Sequence, residues 1–299
     1  MESLAGLRER RAFECRLTQD RALGSLDEAE AFLGERGMLT RTADSALPSL
    51  YEACHEEAYQ PGGQGFASWP ATKWPWFSDL AGRGYLCLAV HRGKNLLVSP
   101  ESAALLDPIC RAETDRVRAA DPGWRRLLDH LAVAGPSLAD DLRLELGLKR
   151  QELKALRYPL ERCGALVARS VTLPAGGAAG DRAAQAGGHV RTEAGGHTHA
   201  SELARWDQAY LGVPAASSAA PPGRPTGRAD VSGALGDLIV AAVRAAVIAP
   251  ESEVRRWFSW QWYWTGTLVD DLVRAARLRR VEDHLTASVT DGQTADAFL

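Results

Sequence analysis

Between Trp124 and Ser170 the apolar positions follow a helical period three times and then change to alternation. Leu127, Leu128 and Leu131 share one helix face, Leu142 and Leu146 lie one turn apart on a second helix, and Leu153, Leu156 and Leu160 form the stripe of a third. Gly147 supplies a tight turn between the second and third helices. Gly164 is expected to end the third helix, and Ala165–Thr172 alternates as a strand. Three short helices followed by a strand pair predict a winged helix-turn-helix. Pro159 should kink the third helix or end its regular part early.

The flanking stretches extend the pattern. Ser25 followed by Asp27 and Glu28 reads as a capped helix start, Leu26, Ala29, Ala31, Phe32 and Leu33 form its apolar side, and Gly37 stops it. Leu47–Ala53 begins a further helix at Pro48, and Gln60–Gly65 reads as a loop. Trp69, Trp74 and Trp76 are expected to pack as a corner of the core rather than to stack on bases. Tyr85–Val90 and Leu96–Val98 form a hairpin around Arg92-Gly93-Lys94-Asn95, and Ser99–Ala120 is a helix. From Leu235 to Ala287 the helix–helix–helix–strand order returns, with Trp257, Trp260, Trp262 and Trp264 expected to pack its second and third helices together.

The predicted class is therefore α+β, mostly helical, with tandem winged helix-turn-helix domains. The expected divisions are 1–120, a helical and β-hairpin domain that is a divergent first winged-helix unit; 121–173, the central winged helix; 174–200, a flexible linker or long disordered wing without apolar period; 201–232, a short helix and linker; 233–290, the C-terminal winged helix; and 291–299, a tail.

Charge bears on the central unit. The chain has 299 residues and a net charge of −3, so nucleic-acid binding must come from local patches. Trp124–Ser170 carries nine Lys or Arg against six Asp or Glu, a net of +3. Lys149, Arg150, Gln151, Lys154 and Arg157 lie on the third helix opposite its leucine stripe, where a major-groove reader would present them to phosphates and base edges. Arg92 and Lys94 at the hairpin tip are further candidates for DNA contact, and double-stranded DNA is the expected partner. The bland alternative for both sets is a solvated basic surface.

Other chemistry is excluded more readily. Cys15, Cys54, Cys87, Cys110 and Cys163 are scattered without a Cys-x-x-Cys pair, which fits a reducing cytoplasm and no disulfide framework. His197-x-His199, with His189 nearby, lacks a third ligand at suitable spacing, so no metal and no cofactor are expected. The most apolar run, Leu235–Ala249, contains Asp237 and Arg244 and is too short to span a bilayer; neither a leader peptide nor a membrane partner is expected. A cytoplasmic, nucleoid-associated protein follows. The excess of Ala, Arg and Gly fits a GC-rich, bacterial genome.

Several stretches together resemble the AlkZ/YcaQ type of winged-helix DNA glycosylase, in its AlkZ-related branch. They are Ala29-x-x-Phe32-Leu33, Leu47–Ala53, Trp74-x-Trp76 before the strand pair, Gly93-Lys94 in the hairpin, the central unit, and Val254–Phe258 with Arg277–Val281. The resemblance implies tandem winged helices around a concave DNA-binding surface and removal of alkylated or crosslinked purines. The family carries a Gln-x-Asp or Gln-x-Gln motif just after its first helical unit. Here that region reads Gly37-Met38-Leu39-Thr40-Arg41, and none of the eight glutamines lies in either motif. The catalytic residues are thus unknown from the sequence, and the activity of the family is expected to be weak or lost; Asp44, Glu52 and Glu56 are the substitutes at hand. Two non-enzymatic readings stand beside this one: a winged-helix transcription regulator and a protein-binding adaptor.

Overall fold

The computed structural model describes residues 2–63, 65–174, 197–210 and 228–288. A helix α1 (Leu4–Glu14) precedes three units built in the same order: helix, short strand, helix, helix, strand, strand. The first comprises α2 (Leu26–Arg36), β1 (Met38–Thr40), α3 (Leu50–Ala53), α4 (Trp76–Gly82), β2 (Leu86–His91) and β3 (Lys94–Val98). The long helix α5 (Pro100–Ala120) leads to the second, α6 (Pro122–Ala134), β4 (Ser137–Leu138), α7 (Ala139–Glu145), α8 (Arg150–Arg162), β5 (Leu166–Pro174) and β6 (His197–Arg205). After a single turn of helix at Trp206–Ala209, the third has helix Arg228–Ala246, β7 (Ala249–Pro250), helix Glu251–Val254, helix Leu268–Arg274, β8 (Leu278–Val281) and β9 (His284–Ala287). In each unit the last strand lies between the other two and pairs antiparallel with both. The result is a mixed α/β fold, mostly helical, with three small antiparallel sheets.

Local chemistry explains most element boundaries. Ser25 accepts from the Glu28 amide at 3.1 Å, Ser49 from the Glu52 amide, and Asp121 from the amides of Gly123 and Trp124, each satisfying donors that a helix start leaves unpaired. Gly37 closes α2 in the left-handed conformation (φ 79°).

The structure departs from the sequence reading in several places. Pro159 does not end the helix: α8 continues past it to Arg162. The ring removes one backbone hydrogen bond, but Leu153 and Leu160 on either side are buried in the core of the central unit and hold the turn in place. Met38–Thr40, Ser137–Leu138 and Ala249–Pro250 are strands that too short a run conceals; each is completed by a partner far along the chain. His197–Arg205, expected to be part linker and part helix, is a strand registered against the whole of β5, from Leu166 opposite Arg205 to Pro174 opposite His197. Residues 175–196, which hold His189 and most of the expected linker, and the expected tail 291–299 lie outside the described residues.

The tryptophans of the third unit also do more than pack its own helices. Trp257 is buried and donates to Glu253, whose same oxygen takes the Ala46 amide of the first unit. Trp260 is buried and donates to the Cys163 carbonyl of the central unit, and Trp262 donates to Glu113 on α5. Ser259 donates through amide and hydroxyl to the Val90 carbonyl at the end of β2, both at 3.1 Å. One core runs continuously from the first sheet across α5 to the third unit, so the third unit is fastened to the other two by both apolar burial and specific hydrogen bonds.

Gly164 lies at this junction. Its φ is 80°, and a Cβ there would meet the Cys110 sulfur at 2.6 Å. Gly164→Ala is expected to destabilise the chain by ~2 kcal/mol or more, since both the backbone conformation and the space oppose it. Urea unfolding measures this; a loss below ~0.5 kcal/mol, the range of an ordinary surface change, would show that α5 and β5 can part there.

Candidate nucleic-acid interface and pocket

The loop after β1 is tied down before it reaches the site. Thr40 bonds Pro48 through amide and hydroxyl, at 2.9 and 3.1 Å, and the Arg41 carbonyl accepts from the Tyr51 amide and the Ser49 hydroxyl, both at 3.1 Å. The Ala43 amide donates to the Tyr59 hydroxyl at 2.8 Å. Opposite this loop stands the β2–β3 hairpin, turned by Arg92 (φ 53°) and Gly93 (φ 75°). The turn is tighter than the alternation implied, with Lys94 and Asn95 already in β3. Loop and hairpin enclose a pocket of about 410 Å³, walled by Thr40, Arg41, Thr42, Asp44, Trp69 and the hairpin residues His91 to Asn95 except Arg92, with Gly62 and Gly63 at its rim.

Its chemistry is polar. Asp44 accepts from the Thr42 hydroxyl at 2.8 Å and from Lys94 Nζ at 2.7 Å. Arg41 lies over the rings of Trp69 and Phe77, at 5.1 and 4.7 Å from their centres. Arg92 is just outside, donating to the Asp44 carbonyl at 3.0 Å and facing Glu253 of the third unit at 3.8 Å. Arg162, at the end of α8, covers Gly93: a Cβ on that glycine would approach its Nε to 3.0 Å. All three units therefore meet around the pocket.

His91 is fully buried, and neither ring nitrogen makes a hydrogen bond of standard geometry. Burial lowers its pKa to about 4, helped by Arg92; Asp44, the Trp257 backbone and Glu253 act in the opposite sense but more weakly. The unfolded chain binds this proton near pH 6.5, so the folded state binds fewer protons in between and stability falls as the pH drops from about 6.5 to 4. The expected loss is up to ~3 kcal/mol, and it should be missing from the urea midpoints of His91→Leu; an identical acid dependence in that variant would assign the effect elsewhere.

Of the residues singled out in the sequence, Asp44 and Lys94 line the pocket and Arg92 adjoins it. Glu52 and Glu56 do not. Burial raises the Glu52 pKa, and Glu56 is bonded to the Thr72 hydroxyl and the amides of Thr72 and Lys73 at 2.6–3.0 Å; these bonds outweigh burial and lower its pKa. Trp74 and Trp76 pack against the core of the first unit as expected, whereas Trp69 both packs there and walls the pocket. Thr40, Arg41, Thr42 and His91 were not singled out as site residues; nothing local marks them, apart from a lone histidine closing an apolar strand.

The α8 set forms a second, separate surface. Lys149, Arg150, Gln151 and Lys154 are exposed on the first turns, while Leu153 and Leu160 face inward. The Lys149 amide is taken by Glu152 at 2.7 Å, which fixes the helix start. Arg157 is half-buried and paired with Glu161 at 2.7 Å. Among the described residues there is no cluster of His, Cys, Asp or Glu able to hold a metal ion, and no helix long and apolar enough to cross a membrane.

No family model matches the sequence, and no curated protein matches it significantly. Among solved structures the chain is similar to the Streptomyces sahachiroi DNA glycosylase AlkZ, at 16% identity and a TM-score of 0.51, over 97% of this chain and 70% of that one. The resemblance read from scattered sequence stretches thus has its counterpart in three dimensions: this chain has the fold of a DNA glycosylase of the AlkZ kind.

Proposed function

We propose that the protein is a tandem winged-helix protein that binds double-stranded DNA at alkylated or crosslinked purines, and that it hydrolyses the N-glycosidic bond slowly or not at all. The three repeated units are read as winged helices, with α8 as the groove reader of the central one and β5–β6 as its wing. The observation that carries the proposal is positional. Thr40 and Arg41, the last residues of the Gly37–Arg41 stretch where the resembled family bears its glutamine motif, line the pocket, followed by Thr42 and Asp44 just beyond.

What stands there differs from the family pattern. Thr40 spends its hydroxyl on Pro48, and Thr42 spends its own on Asp44. Among the described residues Asp44 is the one carboxylate in the wall. A carboxylate at that place can favour positive charge developing on the sugar as the base departs, or orient a water toward the anomeric carbon. Lys94 partly neutralises it at 2.7 Å and suits a neighbouring phosphate instead. The arrangement supports recognition of a damaged nucleotide more strongly than fast hydrolysis.

Competition binding tests this reading. A duplex with one 7-methylguanine should displace labelled lesion-bearing DNA at least about tenfold better than an intact duplex of the same sequence, a difference of ~1.4 kcal/mol. Equal competition, together with preference for one undamaged sequence, would select the transcription-regulator reading.

A further inference from the structure

We propose that His91 is a ligand-contacting residue of this pocket, whose imidazole pairs with the polar edge of the nucleotide that enters it. The inference rests on the lesion-binding reading above and adds a specificity-determining residue to it.

Three observations bear on His91 together. It is buried in the wall of a pocket whose 410 Å³ lies within the range that holds small ligands. Neither ring nitrogen makes a hydrogen bond of standard geometry, and the Trp257 backbone gives the ring only a weaker one; folded proteins rarely leave a buried polar group so poorly paired unless something else supplies the partner. Three polar residues of the wall are already engaged: Thr40 with Pro48, and Thr42 and Lys94 with Asp44. Arg41 Nε also lacks a hydrogen bond, but its guanidinium lies over two aromatic rings.

The backbone at this end of β2 is also held in place from behind. His91 bridges to Phe258, and Ser259 grips the Val90 carbonyl with amide and hydroxyl. A side chain kept only for packing would not need two polar atoms that a leucine lacks. An imidazole with a nitrogen left to pair matches a polar atom on a nucleobase edge. The nitrogens are sealed from water as the wall stands, so pairing with a base requires the lining side chains to part. Lys94 is displaced most cheaply, since its side chain is 56% exposed and its ion pair lies at the surface.

The experiment uses the full chain and two duplexes, one intact and one carrying a single 7-methylguanine made uncleavable by a fluorine on its sugar. With histidine labelled in nitrogen, the His91 signals, identified by their loss in His91→Gln, should move on adding the lesion duplex and not the intact one. His91→Leu should melt no lower than wild type at neutral pH, bind intact duplex unchanged, and bind the lesion duplex about tenfold more weakly, the worth of one buried hydrogen bond. His91→Gln, which keeps a donor and an acceptor, should recover most of that affinity. Lesion preference in the wild type with unmoved His91 signals, or with full affinity in His91→Leu, would overturn this inference and leave the lesion-binding reading standing. Absence of lesion preference in the wild type would overturn both. Should His91→Leu fail to fold, the wild-type signals and the His91→Gln affinity still decide.

Discussion

Excision of 7-methylguanine under single-turnover conditions is expected to be absent, or about 10²–10³-fold slower than in relatives bearing the glutamine motif. That is the usual consequence of losing one preorganised polar group at the reacting centre. The expectation follows from the pocket wall, where the hydroxyls of Thr40, in the region of the missing amides, and of Thr42, just after it, are already spent on Pro48 and Asp44. Any residual rate should depend on Asp44. Asp44→Asn should lower it at least about tenfold while leaving duplex binding equal or tighter, because a negative charge near the phosphates is removed. Glu52→Gln, outside the pocket wall, should leave the rate unchanged. The assay uses excess protein, one labelled lesion and strand cleavage at abasic sites. Efficient excision, or a residual rate indifferent to Asp44, would remove this assignment.

Duplex affinity is expected to fall about 10–100-fold near 0.1 M salt when Lys149, Arg150 and Lys154 are replaced together by alanine. Each phosphate interaction removed in this way should also reduce the slope of log affinity against log salt by about one. These side chains are exposed on the first turns of α8 while Leu153 and Leu160 anchor its other face, so the replacement leaves the core of the central unit intact. The loss should be uniform across sequences, since groups that bind phosphates do not read bases. Gln151→Ala in the same stretch should instead act on particular sequences with little change in slope. An unchanged affinity and slope for the triple variant would place the DNA on another face of the protein.

Local signals foretold most helices because their causes are local. The stripe Leu153–Leu156–Leu160 placed α8, Ser25 and Gly37 bounded α2, and the long helix after Ser99 appeared where its cap and period put it. The first strand of each unit escaped, since two or three residues carry no period and become strands only when a hairpin far along the chain offers them an edge. The same holds for His197–Arg205, whose polar composition reads as loop until β5 pairs with it. Pro159 does not stop α8, whose flanking leucines, Leu153 and Leu160, are buried.

What the sequence by itself determined, then, is the helical order, the hairpin, the basic start of α8 and the absence of a glutamine motif, each a property of neighbouring residues. Only the tertiary structure decided that Asp44 rather than Glu52 or Glu56 shares a pocket with Lys94, that Trp69 walls it, and that His91 is buried within it without a hydrogen bond of standard geometry. The reason is physical. The pocket is closed by residues some fifty positions apart in the chain, Thr40–Asp44 against His91–Asn95, and backed by Phe258 and Ser259 of the third unit. Their meeting depends on how three separate sheets dock through one shared core, and no periodicity along the chain encodes that docking.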